Sequence, residues 1–321
     1  MISYVNGEYV EENEAKVSIF DRGFMLGDGV YDSVRTFGGK MFKIDEHLDR
    51  LSRSMRYIEI DADSHAEEIR QATEEVVVRN MDAILSVGDV WVIPVVTRGL
   101  VEDAGETAFG FEDQATIPFK PTIVVMVRPL NFKAYGLLYR DGVDLGVSLL
   151  TRAMNGSVDP RVKSIGMAGF SRAERKAARM SDARGLGAKG WTVLFRDDGT
   201  LSEASGANLC VVSDEKIIRP PRHQALEGIS LETLCQLGEA QGLTVEERPL
   251  TFYDLVNADE TMITSTSFCV LPVVTVDGIP LPGGSRVYSK TLELWRELVD
   301  FDFVEQAESH AQDTVSPGLA N

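Results

Sequence analysis

Residues Asp197–Val212, reading DDGTLSEASGANLCVV, combine a turn, an isolated acid and a buried strand. Asp197–Thr200 predicts a turn, because its glycine tolerates a positive φ and its side chains bond back to their own backbone. The apolar run Leu209–Val212 is typical of a short core strand. Between them lies Glu203, followed by small residues that let another molecule approach the backbone closely. Such an acid could hold a cationic ring nitrogen or a metal; a surface acid beside a tight β-connection is the alternative.

The composition is that of a soluble globular protein long enough for two domains. The chain has 321 residues, of which 44% are hydrophobic and 26% charged. No apolar run reaches the length of a membrane span. The net charge of −18 argues against nucleic acid or an anionic membrane as a partner. The three cysteines, Cys210, Cys235 and Cys269, lie in apolar surroundings, so we expect reduced core residues and a cytoplasmic location.

The histidines give no sign of a metal centre. The chain has four, and none stands at metal-ligand spacing from another or beside paired cysteines: His47, His65, His223 and His310. We therefore expect no bound metal.

The pattern of apolar residues predicts an α/β fold with two domains. Helical spacing recurs over about 45–59 and 64–84, and nearly continuous apolar runs over 90–98 and 122–127 predict strands. Residues 99–119, between those strands, are acidic and lack a strong period, which favours a mobile loop.

The predicted domain boundaries follow from the same pattern. We expect a small N-terminal α/β domain over residues 1–128, a linker over 129–136 and a large C-terminal domain over 137–304. Residues 305–321 are polar and contain Ser-Pro-Gly, so we expect a disordered tail.

Four further features supply chemistry that complements Glu203. Lys163 offers an amine that can form a Schiff base with a carbonyl cofactor. Gly228-Ile229-Ser230 stands at a helix start, where free N–H groups bind anions. The run Thr264–Ser267 offers hydroxyls, and Arg50 lies on an amphipathic helix. Each has an ordinary alternative: a solvated lysine, an N-cap serine, a polar loop and a surface arginine. Together they meet the binding requirements of pyridoxal 5'-phosphate.

Six stretches, in this order along the chain, resemble the class IV (fold type IV) aminotransferases. That group includes branched-chain aminotransferases, D-amino-acid aminotransferases, (R)-amine transaminases and aminodeoxychorismate lyases. The resemblance runs from about Tyr4 to Leu298, and the stretches that carry it are Phe20–Tyr31, His47–Leu51, Lys163-Ser164, Leu201–Asn208, Leu226–Ser230 and Thr264–Val273.

The resemblance implies a two-domain fold similar to that of D-amino-acid aminotransferase, with residues 137–304 as the cofactor-binding domain, and a role for each matching residue. Lys163 would be the catalytic lysine, forming the Schiff base and moving the proton between the substrate Cα and the cofactor. Glu203 would pair with the pyridine nitrogen and keep it protonated. Arg50, the backbone amides of Ile229 and Ser230, and Thr266 would hold the phosphate.

The candidate substrate-binding residues are Tyr31, Ser33, Arg35, Trp91, Ser267 and Phe268. Tyr31 would line the pocket, and Arg35 is the nearest candidate for a carboxylate partner, although a structural strand arginine is an equal alternative. The chain departs from the family at Ile93, where branched-chain enzymes carry an arginine, and across Val101–Pro118, which holds no arginine or lysine. Because a buried carboxylate without a charged or multiply hydrogen-bonded partner is costly, we expect dicarboxylic donors to be poor substrates.

These features predict a pyridoxal-phosphate-dependent transaminase that moves an amino group from a donor with an apolar side chain to a 2-oxo acid. The approach Asn155–Pro160 to the lysine most resembles (R)-amine transaminases, so we lean to an (R)-amine or D-amino-acid donor. The alternatives are a branched-chain L-amino-acid aminotransferase, an aminodeoxychorismate lyase and a catalytically idle cofactor carrier. The resemblance also implies a homodimer.

Overall fold

The computed structural model describes residues 1–101, 118–151, 158–183 and 190–312. These residues form two compact units: Met1–Leu130 with Val162–Gly166, and Asn131–Arg161 with Met167–Asn321. The predicted loop 99–119 and the segment 155–160 lie largely outside the described residues. The mixture of helices and sheets in both units is the α/β class expected from the sequence.

The first unit is built on an antiparallel sheet that has seven strands in the described part of the chain. Its strands are β1 (Ile2–Val5), β2 (Glu8–Glu11), β3 (Gly29–Tyr31), β4 (Val34–Phe37), β5 (Lys40–Met41), β6 (Val90–Val101) and β7 (Phe119–Pro129). Its helices are α1 (Arg22–Leu26), α2 (Ile44–Tyr57), α3 (Ala62–Arg79) and α4 (Met81–Val87). The strand order is β2-β1-β7-β6-β4-β5, with β3 also paired to β6.

Helices α2 and α3 cover the apolar face of this sheet. Leu48, Leu51 and Met55 recur at helical spacing along α2 and are buried with Val30 of β3 in one core cluster. Asp45 and Glu46 lie in the first turn of α2, where carboxylates are favoured by the helix dipole. This packing fixes which side chains of α2 face the sheet.

The segment Val162–Gly166, named here the lysine segment, belongs to the first unit although the sequence analysis assigned Lys163 to the C-terminal domain. Its backbone pairs with β3: the Tyr31 N–H donates to the Lys163 carbonyl at 3.0 Å, and the Ile165 N–H donates to the Gly29 carbonyl at 3.1 Å. The sequence assignment of Lys163 was therefore wrong, because this pairing joins residues far apart in the chain.

The second unit contains a mixed sheet of nine strands among the residues described, in the order β10-β9-β8-β15-β14-β11-β12-β13, with β16 paired to β15. Its strands are β8 (Val143–Thr151), β9 (Gly190–Phe195), β10 (Leu201–Ala204), β11 (Asn208–Ser213), β12 (Lys216–Arg219), β13 (Thr244–Glu247), β14 (Glu260–Ser265), β15 (Cys269–Val276) and β16 (Ile279–Pro280). Its helices are α5 (Phe132–Asp141), α6 (Ala168–Ala183), α7 (Ile229–Ala240), α8 (Phe252–Asn257), α9 (Arg286–Val299) and α10 (Phe303–Gln312), with a 3₁₀ turn over Arg222–Gln224.

Helices α5 and α10 occupy positions where the sequence predicted a linker and a disordered tail. Phe303 and Ala307 of α10 are buried, and α10 packs against α5. The helices approach so closely that a Cβ on Gly136 would lie 2.3 Å from the Ala307 carbonyl oxygen. The predictions of a linker through 136 and of disorder from 305 were wrong where these helices lie, because the helices bury apolar side chains that their polar neighbours mask in the sequence.

None of the helices in the described residues has the length and apolar character needed to cross a membrane.

Candidate functional site

Lys163 lies at the edge of the first sheet and is held from two sides. Its carbonyl accepts the Tyr31 N–H, and its own N–H donates to Ser54 Oγ of α2 at 3.3 Å. Its Nζ lies 4.6 Å from the centre of the Tyr31 ring, within the range of a cation–π contact. The backbone at the predicted catalytic lysine is thus fixed to β3 and α2, while the half-buried side chain lies over the predicted pocket residue Tyr31.

Tyr31 and three other predicted or noted pocket positions share one face of the first sheet. The register pairs Tyr31 with Val95 and Arg35 with Trp91, and Ile93 stands between those two β6 positions. Since side chains alternate along a strand, all five point to the same side. Ser33 lies between Tyr31 and Arg35 on this face, and Arg128 of β7 pairs with Trp91. The apolar members of the face are Tyr31, Trp91, Ile93 and Val95, of which Tyr31 and Trp91 are half-buried.

Arg35 is buried and contacts neighbouring residues of its own strand. Its side chain is only 3% exposed, its guanidinium lies 4.1 Å from the Phe37 ring centre, and its Nε donates to the Thr36 carbonyl at 3.3 Å. This burial favours the structural alternative, and a role in binding a substrate carboxylate stays a prediction.

Arg50 is buried on the opposite side of the sheet, facing Asp32. Its Nε donates to Asp32 Oδ2 and its Nη2 to Oδ1, both at 2.8 Å. His47 Nδ1 lies 2.7 Å from the same Oδ1. Burial opposes ionisation of the carboxyl, but the Arg50 charge and the bonds from His47 and Arg50 outweigh it, so the pKa of Asp32 lies far below its usual value. The sequence analysis missed both Asp32 and His47.

In the second unit, Glu203 organises the approach to helix α7. It stands in β10, only 4% exposed, and its Oε2 accepts the Leu226 N–H at 3.1 Å. Ser202 Oγ donates to the Gln224 carbonyl at 2.5 Å, and Asn208 Nδ2 donates to the Leu226 carbonyl at 2.8 Å. Three residues of Asp197–Val212 therefore hold the connection between the 3₁₀ turn and α7 in place. Glu203 is a buried residue and not a surface acid.

The start of α7 has the features of an anion-binding cradle. Among the described residues no side chain caps the helix at Gly228, so the first amides, including those of Ile229 and Ser230, have no intrahelical acceptor. A Cβ on Gly228 would lie 1.8 Å from Asn208 Oδ1. Only glycine fits there, which lets the chain turn into the helix directly against β11.

The end of β14 lies beside this cradle. Thr264 pairs with Asn208 across the sheet, and α7 packs on β14. Thr264 Oγ1 is buried and has no hydrogen-bond partner among the residues described. Ser265 and Ser267 follow with their Oγ atoms 3.2 Å apart, and Thr266, between them, is half-buried.

Phe268 lies away from solvent in an aromatic cluster. It is 1% exposed, its ring centre is 5.5 Å from that of Trp191 and 5.9 Å from that of Tyr135, and its carbonyl accepts the Tyr139 hydroxyl at 2.6 Å. Its place in the substrate pocket stays a prediction, which this burial does not favour.

The donor set fits pyridoxal phosphate and offers no metal cluster. In the second unit, the uncapped start of α7 and the buried Thr264 hydroxyl suit a phosphate group, and the buried Glu203 carboxylate suits a protonated ring nitrogen. In the first unit, Lys163 carries an amine. Within the described ranges no group of three or more His, Cys, Asp or Glu side chains could hold a metal ion.

Comparisons with known proteins identify the family of the chain. The sequence model of the family described as Amino-transferase class IV matches residues 29–276. The chain is 32% identical over 278 residues to a putative branched-chain-amino-acid aminotransferase of Methanocaldococcus jannaschii, covering 86% of this chain and 88% of that protein. It is 29% identical over 309 residues to the D-alanine aminotransferase of Staphylococcus aureus, covering 96% and 98%.

Solved structures share the fold. The branched-chain amino acid aminotransferase of Thermoproteus uzoniensis, solved with norvaline, superposes with a TM-score of 0.72 at 22% identity, covering 96% of this chain and 97% of that one. The Escherichia coli branched-chain enzyme gives 0.73 at 23% identity, covering 92% and 93%. The expected fold type IV architecture is confirmed. The chain belongs to the class IV aminotransferases and is a transaminase that uses pyridoxal 5'-phosphate.

Proposed function

We propose that Lys163 is the catalytic base and that Glu203, Arg50, Ile229, Ser230 and Thr266 bind the cofactor. The observation that carries this proposal is the fixed place of the lysine segment on β3, with the Lys163 backbone bonded to Tyr31 and Ser54. A catalytic amine needs a fixed anchor and a movable end, and the long side chain of Lys163 provides the movable end.

The proposed division of labour follows from the chemistry of each group. Bound pyridoxal phosphate supplies an electron-poor ring that accepts the electron pair left when the substrate Cα–H bond breaks. Lys163 Nζ takes the proton from the substrate Cα and returns it to the C4′ carbon of the cofactor. The Glu203 carboxylate stabilises a proton on the ring nitrogen, and the amides of Ile229 and Ser230 hold phosphate oxygens.

Replacing Lys163 with alanine tests this assignment. We expect Lys163→Ala to lose transamination and to lose covalently attached cofactor, read as a mass increment on the intact protein after borohydride reduction. Lys290→Ala, which removes an exposed ion pair with Glu293, is the matched control and should keep both. Retained turnover in Lys163→Ala would overturn the assignment.

We propose that the amino donor is an amino acid with an apolar side chain and that a 2-oxo acid is the acceptor. Tyr31, Trp91 and Ile93 are apolar side chains on one face of the first sheet, and Val101–Pro118 contains no arginine or lysine. The relatives named above are aminotransferases for branched-chain amino acids and for D-alanine, which favours an amino acid over the (R)-amine to which the sequence analysis leaned.

An (R)-amine remains the second candidate, favoured by the scarcity of cationic groups for a carboxylate. The test mixes the enzyme, without acceptor, with one donor at a time: L-leucine, D-alanine or (R)-1-phenylethylamine. A change in the visible absorbance of the cofactor shows which donor reacts. We expect a rapid change with one of the two amino acids. A rapid change with the amine alone would overturn the proposed donor class.

We further propose a cytoplasmic homodimer. The dimer is supported by a set of exposed apolar side chains at and just before α1, named here the α1 patch: Ile19, Phe20, Phe24, Met25 and Leu26 are between 38% and 70% exposed. A surface of this kind on a soluble protein favours association. The location is supported by the buried cysteines Cys210 and Cys235, which suit a reducing compartment.

A further inference from the structure

Asp32, His47 and Arg50 form a buried cluster, named here the Asp32 cluster, whose first two members have no assigned role. Asp32 is 0% exposed, His47 1% and Arg50 4%. The carboxylate accepts four hydrogen bonds: two from Arg50, one from His47 Nδ1, and one from the Ser33 N–H at 2.7 Å. Each oxygen of the carboxylate is therefore held in a defined direction.

Burial of the charged Asp32 cluster in the core costs free energy. Moving two charges out of water costs several kcal/mol per ion, and well-packed apolar residues are often as stabilising as a buried ion pair. Val30 and Val34 flank Asp32 on the same face of the sheet and are fully buried, so an apolar residue would match its surroundings. A charged residue here therefore points to a requirement other than packing.

The geometry shows what the pair with Asp32 does to Arg50. A guanidinium is planar and rigid, and Asp32 engages the edge formed by Nε and Nη2. The other edge, formed by Nη1 and the second N–H of Nη2, is thereby fixed in direction, away from Asp32. Two parallel bonds to one carboxylate fix both the position and the rotation of the arginine head.

The Asp32 cluster is also joined to the catalytic lysine. Arg50 and Ser54 lie four residues apart on α2 and so share a face, and Ser54 accepts the Lys163 N–H. On the strand side, Tyr31 precedes Asp32 and donates its N–H to the Lys163 carbonyl. The direction of Arg50 and the place of Lys163 are thus fixed by the same two elements, β3 and α2.

We propose that Asp32 is a positioning residue for the phosphate group of the cofactor, acting through Arg50, and that His47 holds the Asp32 carboxylate in place. This inference rests on the proposed function, in which Arg50 binds the phosphate. The Asp32 carboxylate fixes the outward edge of the guanidinium so that it meets phosphate oxygens, while His47 Nδ1–H and the Ser33 N–H keep the carboxylate from rotating.

The test compares pyridoxal phosphate with pyridoxal, which lacks the phosphate, as ligands of the cofactor-depleted enzyme. In Asp32→Asn we expect the Kd for pyridoxal phosphate to rise about tenfold, the order of one lost charge-assisted hydrogen bond, with the Kd for pyridoxal changed by less than about twofold. In an Arg50→Gln background, Asp32→Asn should no longer change the ratio of the Kd for pyridoxal phosphate to the Kd for pyridoxal. The carboxylate then has no arginine to direct.

The matched control is Asp89→Asn. Asp89 is equally buried and accepts bonds from Thr36, Gly38 and Gly39, rather than from Arg50 or the lysine segment. Asp89→Asn should change the Kd for pyridoxal phosphate and the Kd for pyridoxal by the same factor, or leave both unchanged.

Three results would overturn the inference. In Asp32→Asn, the affinities for the two ligands could fall equally, or neither could fall. In the Arg50→Gln background, Asp32→Asn could still weaken pyridoxal phosphate binding selectively. If Asp32→Asn does not fold, His47→Gln decides, with a smaller selective loss of pyridoxal phosphate expected and an equal or absent change contradicting the proposal. A wild-type protein without covalently bound cofactor would instead overturn the proposed function.

Discussion

Glu203 is the residue at which cofactor binding and cofactor use can be separated. In Glu203→Gln the amide oxygen can still accept the Leu226 N–H, so the connection to α7 should persist. A neutral amide cannot stabilise a proton on the ring nitrogen, so proton removal from the substrate should slow by about a hundredfold, the usual order for a lost acid–base contribution. The measurement is kcat with normal and Cα-deuterated donor, and the isotope effect should grow.

The control for that substitution is Glu232→Gln, which removes a half-exposed partner of Arg219 and Arg222. Its kcat and isotope effect should match the wild type. An unchanged kcat in Glu203→Gln would show that the carboxylate does not serve the ring nitrogen.

His47 should make the protein less stable in mild acid. Burial lowers the pKa of its ring, and the neighbouring Asp32 charge offsets this only in part. The unfolded chain therefore takes up a proton near the ordinary histidine pKa of about 6.5, while the folded protein does not. Since the unfolded state binds more protons, the free energy of unfolding should fall below that pH, by at most about 1.4 kcal/mol per pH unit for this proton.

Urea unfolding at pH 7.5 and 5.5 measures this slope. His47→Gln cannot gain the proton, so its free energy of unfolding should fall less between the two pH values than that of the wild type. Equal slopes in the two proteins would contradict the assignment of the acid sensitivity to His47.

The sequence could identify candidate site residues that lie in motifs, but not the buried residues that contact them. Lys163 and Glu203 stand beside small residues in recognisable stretches. Asp32 carries no such signal, because it reads as one polar position in a predicted hairpin. The role that we propose for Asp32 depends on its contact with α2, which begins twelve residues later. The local sequence pattern does not contain that contact.

At the scale of elements, the start of α7 depends on a glycine that no other residue can replace without movement. In Gly228→Ala the new Cβ would meet Asn208 Oδ1 at 1.8 Å. Relief of such overlap typically costs about 1–3 kcal/mol, and it would shift the amides of Ile229 and Ser230. We expect a lower Tm together with a weaker Kd for pyridoxal phosphate.

Gly169→Ala is the control, because a Cβ at Gly169 of α6 meets nothing within 4 Å. Alanine favours a helix over glycine, so its Tm should be unchanged or higher and its cofactor affinity unaltered. A Gly228→Ala protein with wild-type affinity would show that these amides do not hold the phosphate.

Helix periodicity was the most reliable guide among the elements. The helical spacing over about 45–59 corresponds to α2, which spans Ile44–Tyr57. Helix α10 was missed because its buried positions, Phe303 and Ala307, are separated by polar residues and precede Ser-Pro-Gly. Burial of Phe303 and Ala307 stabilises this helix, and the Phe303 ring centre lies 6.0 Å from that of Tyr139 in α5. The local sequence does not contain that contact.

At the scale of the whole molecule, the α1 patch predicts association. Phe20 and Phe24 are 60% and 70% exposed, which is costly unless another surface covers them. Light scattering should give twice the mass of one chain, and Phe24→Glu should shift the protein toward one chain. Tyr253→Glu, at a tyrosine 75% exposed in α8, is the control and should leave the mass unchanged. A wild-type enzyme that is fully active as a single chain would refute the dimer.

The docking of the lysine segment on β3 also sets an order of events during synthesis. Tyr31 and Lys163 are roughly 130 residues apart in the chain, and such distant pairings form late because closing a long loop costs entropy. Until the ribosome has passed residue 166, the edge of β3 is open, and an open edge is prone to pair with other chains. Lys163 therefore reaches its place among the last parts of the first unit, and a prematurely terminated chain lacks both the completed edge and the lysine that we propose as the catalytic base.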